Sequence, residues 1–543
     1  MIFRRWCSAR RVLLVSAGLA VALLAAVPAG AESPLAAPPA IQGGSPPGAR
    51  ILRGRAPRPR RRSGVYYEIF VRSFCDSNGD GIGDLDGITE KLDYLKWLGV
   101  SGLWLTPINP SPSYHGYDIT NFFAVNPQFG TLADFHRLLR AAHARGIKIL
   151  MDLVTNHTSD RNPWFRRAIS PTSPYHDWFT WAGKGTDLDA ISSVGDKAWH
   201  RIDGEYYLGD FSSQMPDLNY DDPAVREAMI RVGRFWLAQG VDGFRLDATT
   251  QIYIDFESQV GKAGPLAKNL AWWSEFHRAL SDTDPRVFLL GEVPATAEAQ
   301  AAPYYSALNS VFDFPLARIL IASAATEKSA DLGAYLQRAL RLFHSHARWP
   351  MVDSPFLSNH DQDRVIDQLH GNPNHMRMAA AQLLTLPGHP FVYYGEEIGM
   401  HGVKPDPHIR EPMRWNRSLS APGETYWENA RVNDAPGLSV AAERTDPHSL
   451  LNLYRTLIHW RIELPALRDG GIAPYPADGG PICAYVRADR AQRLLIVHNL
   501  SGRRRVVTLT VGAFRRVIRR TRAGIRLEGR RLTMPAYSTA ILE

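Results

Sequence analysis

At 543 residues the chain is too long for one hydrophobic core, and its 45% hydrophobic content with 14 Trp, 20 Tyr and 21 Phe excludes a disordered or fibrous polymer. The net charge of +8 does not point to nucleic acid as a partner, because residues 1–62 hold eleven arginines against a single acid, Glu32. That tail carries +10 and leaves −2 for the remainder, so the basicity says little about the main domains.

Taken in chain order, Met1-Ile2-Phe3-Arg4-Arg5 leads through Arg10-Arg11 into an apolar run from Val12 to Val27 that ends at Ala29-Gly30-Ala31. A basic start, an apolar centre and an A-x-A site predict an export signal over 1–31, cut after Ala31, and a secreted or periplasmic protein with no membrane attachment after cleavage. The run is short for a spanning helix. Residues 32–62 are Pro, Gly, Ala and Arg almost without aromatic residues, a composition that cannot bury a core and reads as a linker. Of three cysteines, Cys7 falls in the signal, and the sequence leaves open whether Cys75 and Cys483 pair.

Ordered structure is expected from Val65. Apolar strands are predicted at Val65 to Phe70, Gly102 to Leu105, Ile147 to Val154, Gly243 to Asp247, Val287 to Leu290, Val311 to Phe314, Phe356 to Ser358 and Phe391 to Tyr393. Helical periodicity lies between them at Ile88 to Leu98, Leu132 to Arg145 and Ala224 to Gln239. Eight strands alternating with helices predict an α/β fold, a (β/α)8 TIM barrel over 63–460. About ninety residues separate the third strand from the fourth, too many for a loop, so a small domain is expected to be inserted over about 157–219. From 461 to 543 short alternating runs such as Ala484-Tyr485-Val486 and Leu494-Leu495-Ile496-Val497 predict a C-terminal antiparallel β-sandwich, with Arg503 to Arg505 and Arg515-Arg516 on solvated faces.

Two groups of residues carry chemistry. The first is Asp76-Ser77-Asn78-Gly79-Asp80-Gly81-Ile82-Gly83-Asp84, with oxygen donors at alternate positions and Gly81 at a sharp turn, as a hard cation requires. The twelfth place is Gly87 and not the glutamate of an EF-hand, and an empty Asx-rich turn is the alternative reading. The second group sits where a barrel gathers its reactive side chains, at the C-terminal strand ends: Asp152, Asn156 and His157, then Arg245 and Asp247, then Glu292, then His360 and Asp361. Arg245 and Asp247 are two apart in a strand and share a face, which sets a cation beside a carboxylate and is expected to keep it ionised. Glu292 emerges from an apolar strand, where a carboxyl keeps its proton near neutral pH. Two such carboxyl groups across one bond are what glycosidic cleavage needs.

Asp152-Leu153-Val154-Thr155-Asn156-His157, Gly243-Phe244-Arg245-Leu246-Asp247, Gly291-Glu292-Val293 and Phe356-Leu357-Ser358-Asn359-His360-Asp361 resemble, in order, the four main motifs of the α-amylase family of glycoside hydrolases. His115-Gly116-Tyr117-Asp118 and Gly388-His389-Pro390-Phe391 extend the resemblance. It implies a retaining hydrolase with Asp247 as nucleophile, Glu292 as general acid/base and Asp361 as transition-state stabiliser. It further implies that Tyr117, Asp118, His157, Arg245 and His360 surround the sugar. The loop after the first strand is similar to the calcium loop of oligo-1,6-glucosidase-like members, which implies a structural calcium on Asp76, Asn78, Asp80, the Ile82 carbonyl and Asp84. Gln214-Met215-Pro216-Asp217-Leu218-Asn219 resembles both the oligo-1,6-glucosidase and the neopullulanase versions of that motif. Ala248 is similar to members acting on α-1,4 bonds, whereas Thr250 and Gln251 replace the Lys-His of many amylases and leave the acceptor side open. The reading is therefore a monomeric enzyme acting on an α-glucan or maltooligosaccharide. The alternatives are an α-glucosidase or oligo-1,6-glucosidase, a glucosyl-transferring or isomerising relative such as a trehalose synthase, and a non-catalytic amylase-like binding protein.

Overall fold

The computed structural model describes residues 64–254, 264–428, 432–477 and 479–543. The expected signal and linker lie outside these. Seven parallel strands form one sheet: β1 (Tyr66–Ile69), β2 (Gly102–Leu105), β3 (Lys148–Leu153), β6 (Gly243–Leu246), β7 (Phe288–Gly291), β8 (Ser310–Val311) and β9 (Phe391–Tyr393). The order β8-β7-β6-β3-β2-β1-β9 leaves β8 and β9 as the two edges.

The segment around Ser354 closes the ring between those edges. Phe312 bridges Ser354 in parallel on one side, and Phe391 N–H donates to the Pro355 carbonyl at 2.9 Å on the other. The strand expected at Phe356 to Ser358 is thus corrected to a short extended piece placed slightly earlier. Pro355 has no N–H to give, which prevents a full ladder there. The strand expected at Val311 to Phe314 is also shorter, because Asp313 caps the helix Phe314–Thr326 by accepting Leu316 N–H at 2.9 Å.

Side chains alternate across the barrel wall. Tyr66, Trp104, Leu150, Phe288, Leu290, Phe312, Phe356 and Phe391 pack together as one buried cluster, while Tyr67, Leu103, Leu105, Ile149, Phe244 and Leu246 join the larger cluster under the helices. Two residues further along the same inner face, the apolar Tyr66 and Leu150 give way to Glu68 and Asp152, and Arg245 pairs in register with Asp152. The inner face therefore turns from apolar to charged toward the strand ends. Gly243 permits this register, since a Cβ there would lie 2.0 Å from the Phe288 carbonyl oxygen on β7.

Helix Leu132–Ala144 starts with a Thr131/Asp134 capping box, and helix Pro223–Gln239 starts at Asp222 and stops at Gly240 in the left-handed conformation. Between β3 and β6 the chain forms the expected insertion, with the hairpin β4 (Trp199–Ile202) and β5 (Glu205–Leu208) and bridges His157–Asp217 and Phe179–Leu218 that return it to the barrel. The boundary expected at 461 falls inside helix Leu450–Glu463, whose Leu451, Tyr454, Leu457 and Ile458 belong to the barrel's core cluster. Strands begin only at β10 (Gly471–Pro474). This strand continues into a five-stranded sheet with β11 (Ile482–Ala488), β12 (Arg493–Asn499), β14 (Val517–Arg520) and β17 (Ser538–Leu542), and β13 (Arg505–Thr508), β15 (Arg526–Glu528) and β16 (Arg531–Met534) make a three-stranded partner. Cys75 and Cys483 are buried and free of disulfides. Among the described residues no helix is long and apolar enough to cross a membrane.

Candidate active site

The strand ends converge on one cavity of about 430 Å³, lined by Tyr117, His157, Asp247, Glu292, Asp361 and Arg410 among others. Arg245 and His360 lie fully buried beneath it. Arg245 is the hub. Its Nη1 donates to Asp152 Oδ1 at 3.0 Å and to Asp247 Oδ1 at 2.6 Å, and its Nη2 stands 2.9 Å from Glu292 Oε2 as an ion-pair contact. Its guanidinium also lies over the Trp104 ring at 5.0 Å, and Trp104 Nε1 donates to Asp152 at 3.1 Å.

One cation shared by three carboxylates cannot fully compensate their burial. Burial pushes Asp247 up to about 6 against the pull of Arg245, and it likewise raises Asp152 and Glu292 from their ordinary range. Arg245 favours the ionised form of Asp247, as expected, but burial leaves only a narrow margin: Asp247 is ionised at neutral pH and titrates at about 6. Glu292 receives a further hydrogen bond from Ala248 N–H at 3.1 Å. That donor is aimed by an unusual backbone, since Ala248 adopts φ +48°, a left-handed conformation for a residue with a side chain.

Asp361 is in the opposite situation. Burial would raise it, yet His360 Nε2 at 3.0 Å and Arg410 Nη2 at 2.8 Å hold it well below the usual carboxylate range. His360 is itself pushed up to about 10, where burial is overcome by Asp361 and by Glu68, whose Oε1 lies 2.6 Å from Nδ1. Tyr117 stacks on His360 with ring centroids 5.5 Å apart, and its hydroxyl donates to Asp152 at 3.0 Å while meeting His360 Nε2 at 2.6 Å. His157 borders the cavity with Nε2 on the Tyr117 carbonyl at 3.2 Å, and burial lowers it to about 4, so it is neutral.

Asp118 is not brought to the cavity. It is buried in its own loop, accepting hydroxyl hydrogen bonds from Ser111 and Ser113. Two contributors had no signal in the sequence. Glu68 sits inside an ordinary apolar strand pattern, and Arg410 caps the short helix Asp406–Ile409 after β9 with no motif around it. Only the folded burial of these charges, 2% and 3% exposed, marks them.

The loop after β1 is held by its own hydrogen bonds. Asp76 accepts from Asn78, Gly79 and Gly81 N–H, Asn78 from Asp80 N–H, Asp80 from Ile82 N–H, and Asp84 from Ser77 and Gly87 N–H. Gly81 makes the turn at φ +89°, and all the donors expected for a cation are hard oxygens. Among the described residues, however, no three His, Cys, Asp or Glu side chains come together as a metal-binding group.

A family model described as "Alpha amylase, catalytic domain" matches residues 68–470, and one described as "Alpha-amylase SusG C-terminal domain" matches residues 482–541. The chain is 41% identical over 445 residues to a protein named alpha-amylase 3 from Dictyoglomus thermophilum, covering 82% of this chain and 86% of that one. It is 33% identical over 497 residues to the trehalose synthase/amylase TreS of Mycobacterium tuberculosis, covering 80% and 81%. Among solved structures, an alpha-amylase from H. orenii superposes with a TM-score of 0.82 at 42% identity, covering 89% of this chain and 99% of that one.

Proposed function

This chain belongs to the α-amylase family of glycoside hydrolases, and on that premise we propose that it cleaves α-1,4-glucosidic bonds in starch, glycogen or maltooligosaccharides with retention of configuration. The observation that carries the mechanism is the placement of Asp247 and Glu292 on the two terminal nitrogens of one buried guanidinium, with Asp361 across the same cavity. Glu292, with its proton held by burial, protonates the leaving oxygen while Asp247 attacks the anomeric carbon and forms the glycosyl-enzyme bond. Glu292, now a base, takes a proton from water as that water displaces Asp247. Asp361, kept ionised by His360 and Arg410, offers a fixed negative charge to the developing sugar cation. Tyr117 and His157 contact the sugar at the cleavage point.

The α-1,4 preference rests on Ala248 and on the similarity to the alpha-amylases. A glucosyl-transferring reading draws on Thr250 and Gln251, the latter lining the cavity, and on the similarity to TreS. Product analysis on starch, maltose and isomaltose separates the two: internal cleavage of starch supports hydrolysis of α-1,4 bonds, whereas conversion of maltose to an isomer without glucose release overturns it. Replacement of Glu292 by Gln is expected to lower kcat by about 10³-fold or more with folding intact, and an unaffected rate removes its acid/base role.

Export through residues 1–31, action as a monomer and a structural calcium complete the proposal. Asp76, Asn78, Asp80, the Ile82 carbonyl and Asp84 would hold the ion, and its contribution there is to fix the loop after β1. Chelation is expected to lower the melting temperature, with recovery on adding calcium; a melting temperature indifferent to both excludes the site.

A further inference from the structure

The reaction as proposed makes no use of Glu68, a buried carboxyl directly behind His360. Glu68 is on the inner face of β1, 2% exposed, among the aromatic residues that fill the barrel. A lone carboxylate in that setting is costly, and its burial raises it from its ordinary range. Among the described residues its one ion-pair partner is His360. Glu68 Oε1 lies 2.6 Å from His360 Nδ1 and also accepts His360 N–H at 3.2 Å, so it grips both the ring and the backbone of the residue that precedes Asp361.

We propose that Glu68 is a positioning residue for glycoside cleavage, which clamps His360 from inside the barrel so that its imidazolium is held beside Asp361. The inference rests on Asp361 acting as the stabiliser. With Nδ1 committed to Glu68, the other nitrogen must carry a proton to satisfy what it faces. Asp361 Oδ2 stands 3.0 Å from it as an ion-pair contact, and the Tyr117 oxygen can accept the Nε2 proton at 2.6 Å because its own proton is given to Asp152. Two carboxylates at opposite ends of one imidazole make it an imidazolium. The charged and titratable groups around it are Glu68 from β1, Tyr117 from the loop after β2, Asp152 from β3 and Asp361. Arg410 Nε meets the His360 carbonyl at 2.8 Å, and Trp104 packs edge-on at 5.5 Å. Removing the Glu68 charge leaves one carboxylate to hold the proton. Once the proton leaves, an unprotonated nitrogen faces Asp361 and repels it.

The test is the pH dependence of kcat and KM for Glu68→Gln on a maltooligosaccharide, with the melting temperature measured alongside. Expected are a loss of about tenfold or more in kcat, KM within about twofold, and an alkaline limb of kcat/KM moved to lower pH by about one unit or more. An alkaline limb unmoved from that of the unmodified enzyme overturns the proposal, even if the overall rate is lower. Should Glu68→Gln fail to fold, Glu68→Asp keeps the charge but shortens its reach. It is expected to lose kcat while retaining the limb, and an unchanged kcat overturns the clamp. Asp361→Asn runs in parallel. If it stays active, the reading of Asp361 fails first; if it is inactive while Glu68→Gln keeps rate and limb, the clamp alone fails.

Discussion

At the scale of single residues, the site works by unequal sharing of cations among buried carboxyl groups. Arg245 divides one charge among Asp152, Asp247 and Glu292, whereas Asp361 is contacted by both His360 and Arg410. Carboxylates of the same chemical type are thereby driven apart, up to about 6 for Asp247 and well below the usual range for Asp361. The sign has two consequences. A carboxyl raised on folding binds its proton more tightly in the folded state, so the contribution of Asp247 to stability is largest below about pH 4 and is lost as pH rises through about 6. Attack requires the ionised form, so activity runs the other way. The kcat/KM profile is expected to fall about tenfold per unit below pH 6, with its acid limb near the value for Asp247. A flat profile down to pH 4 contradicts that assignment.

At the scale of elements, the barrel register is what makes the residues meet. Asp152 and Arg245 are exact neighbours in the β3–β6 ladder, and Arg245 pairs with Leu290 on β7, two residues before Glu292, which follows the strand end. Gly243 is the close point of that packing, because the Phe288 carbonyl occupies the place of a Cβ. Gly243→Ala must push β6 from β7 against backbone atoms, and is expected to cost about 3 kcal/mol in unfolding free energy and to depress activity with it. A variant with unchanged melting and rate would mean the strands separate freely. The parts legible in the sequence are those that repeat with the strand period or carry a local motif: β2 and β9 at their true bounds, the shared face of Arg245 and Asp247, and the insertion announced by its length. The parts hidden from it depend on long-range neighbours. Pro355 shortens a strand whose partners are forty residues away on either side, Asp118 turns to two serines of its own loop, and Glu68 and Arg410 acquire meaning only from His360 and Asp361.

At the scale of the molecule, the C-terminal sheet has two faces with different loyalties. Along β11 and β12, Cys483, Tyr485, Leu494 and Ile496 belong to the barrel's core cluster, while Ala484, Val486, Leu495 and Val497 fill the core between the two C-terminal sheets. The same alternation carries Arg487 toward the barrel, where it is fully buried. It donates to the Thr385 carbonyl at the end of helix Pro373–Thr385, to Leu467 and Gly470 at 2.8 and 2.9 Å, and to Gly471 at 3.1 Å. Arg461 serves the neighbouring Leu386 and Gly388 carbonyls in the same way. The Thr385, Leu467 and Gly470 carbonyls lie at the ends of helices, where backbone acceptors lack intrahelical donors, so the two arginines extend backbone hydrogen bonding across the junction. A junction that is both apolar and hydrogen-bonded in this way does not open without unfolding its neighbours. Calorimetry is therefore expected to show a single transition for barrel and C-terminal sheets, and two separated transitions would contradict the coupling. Arg487→Met keeps the volume but leaves at least three buried carbonyls unsatisfied, each worth about 1–3 kcal/mol. It is expected to lower that one transition as a whole, whereas the loss of an early C-terminal transition alone would show that the sheets fold independently.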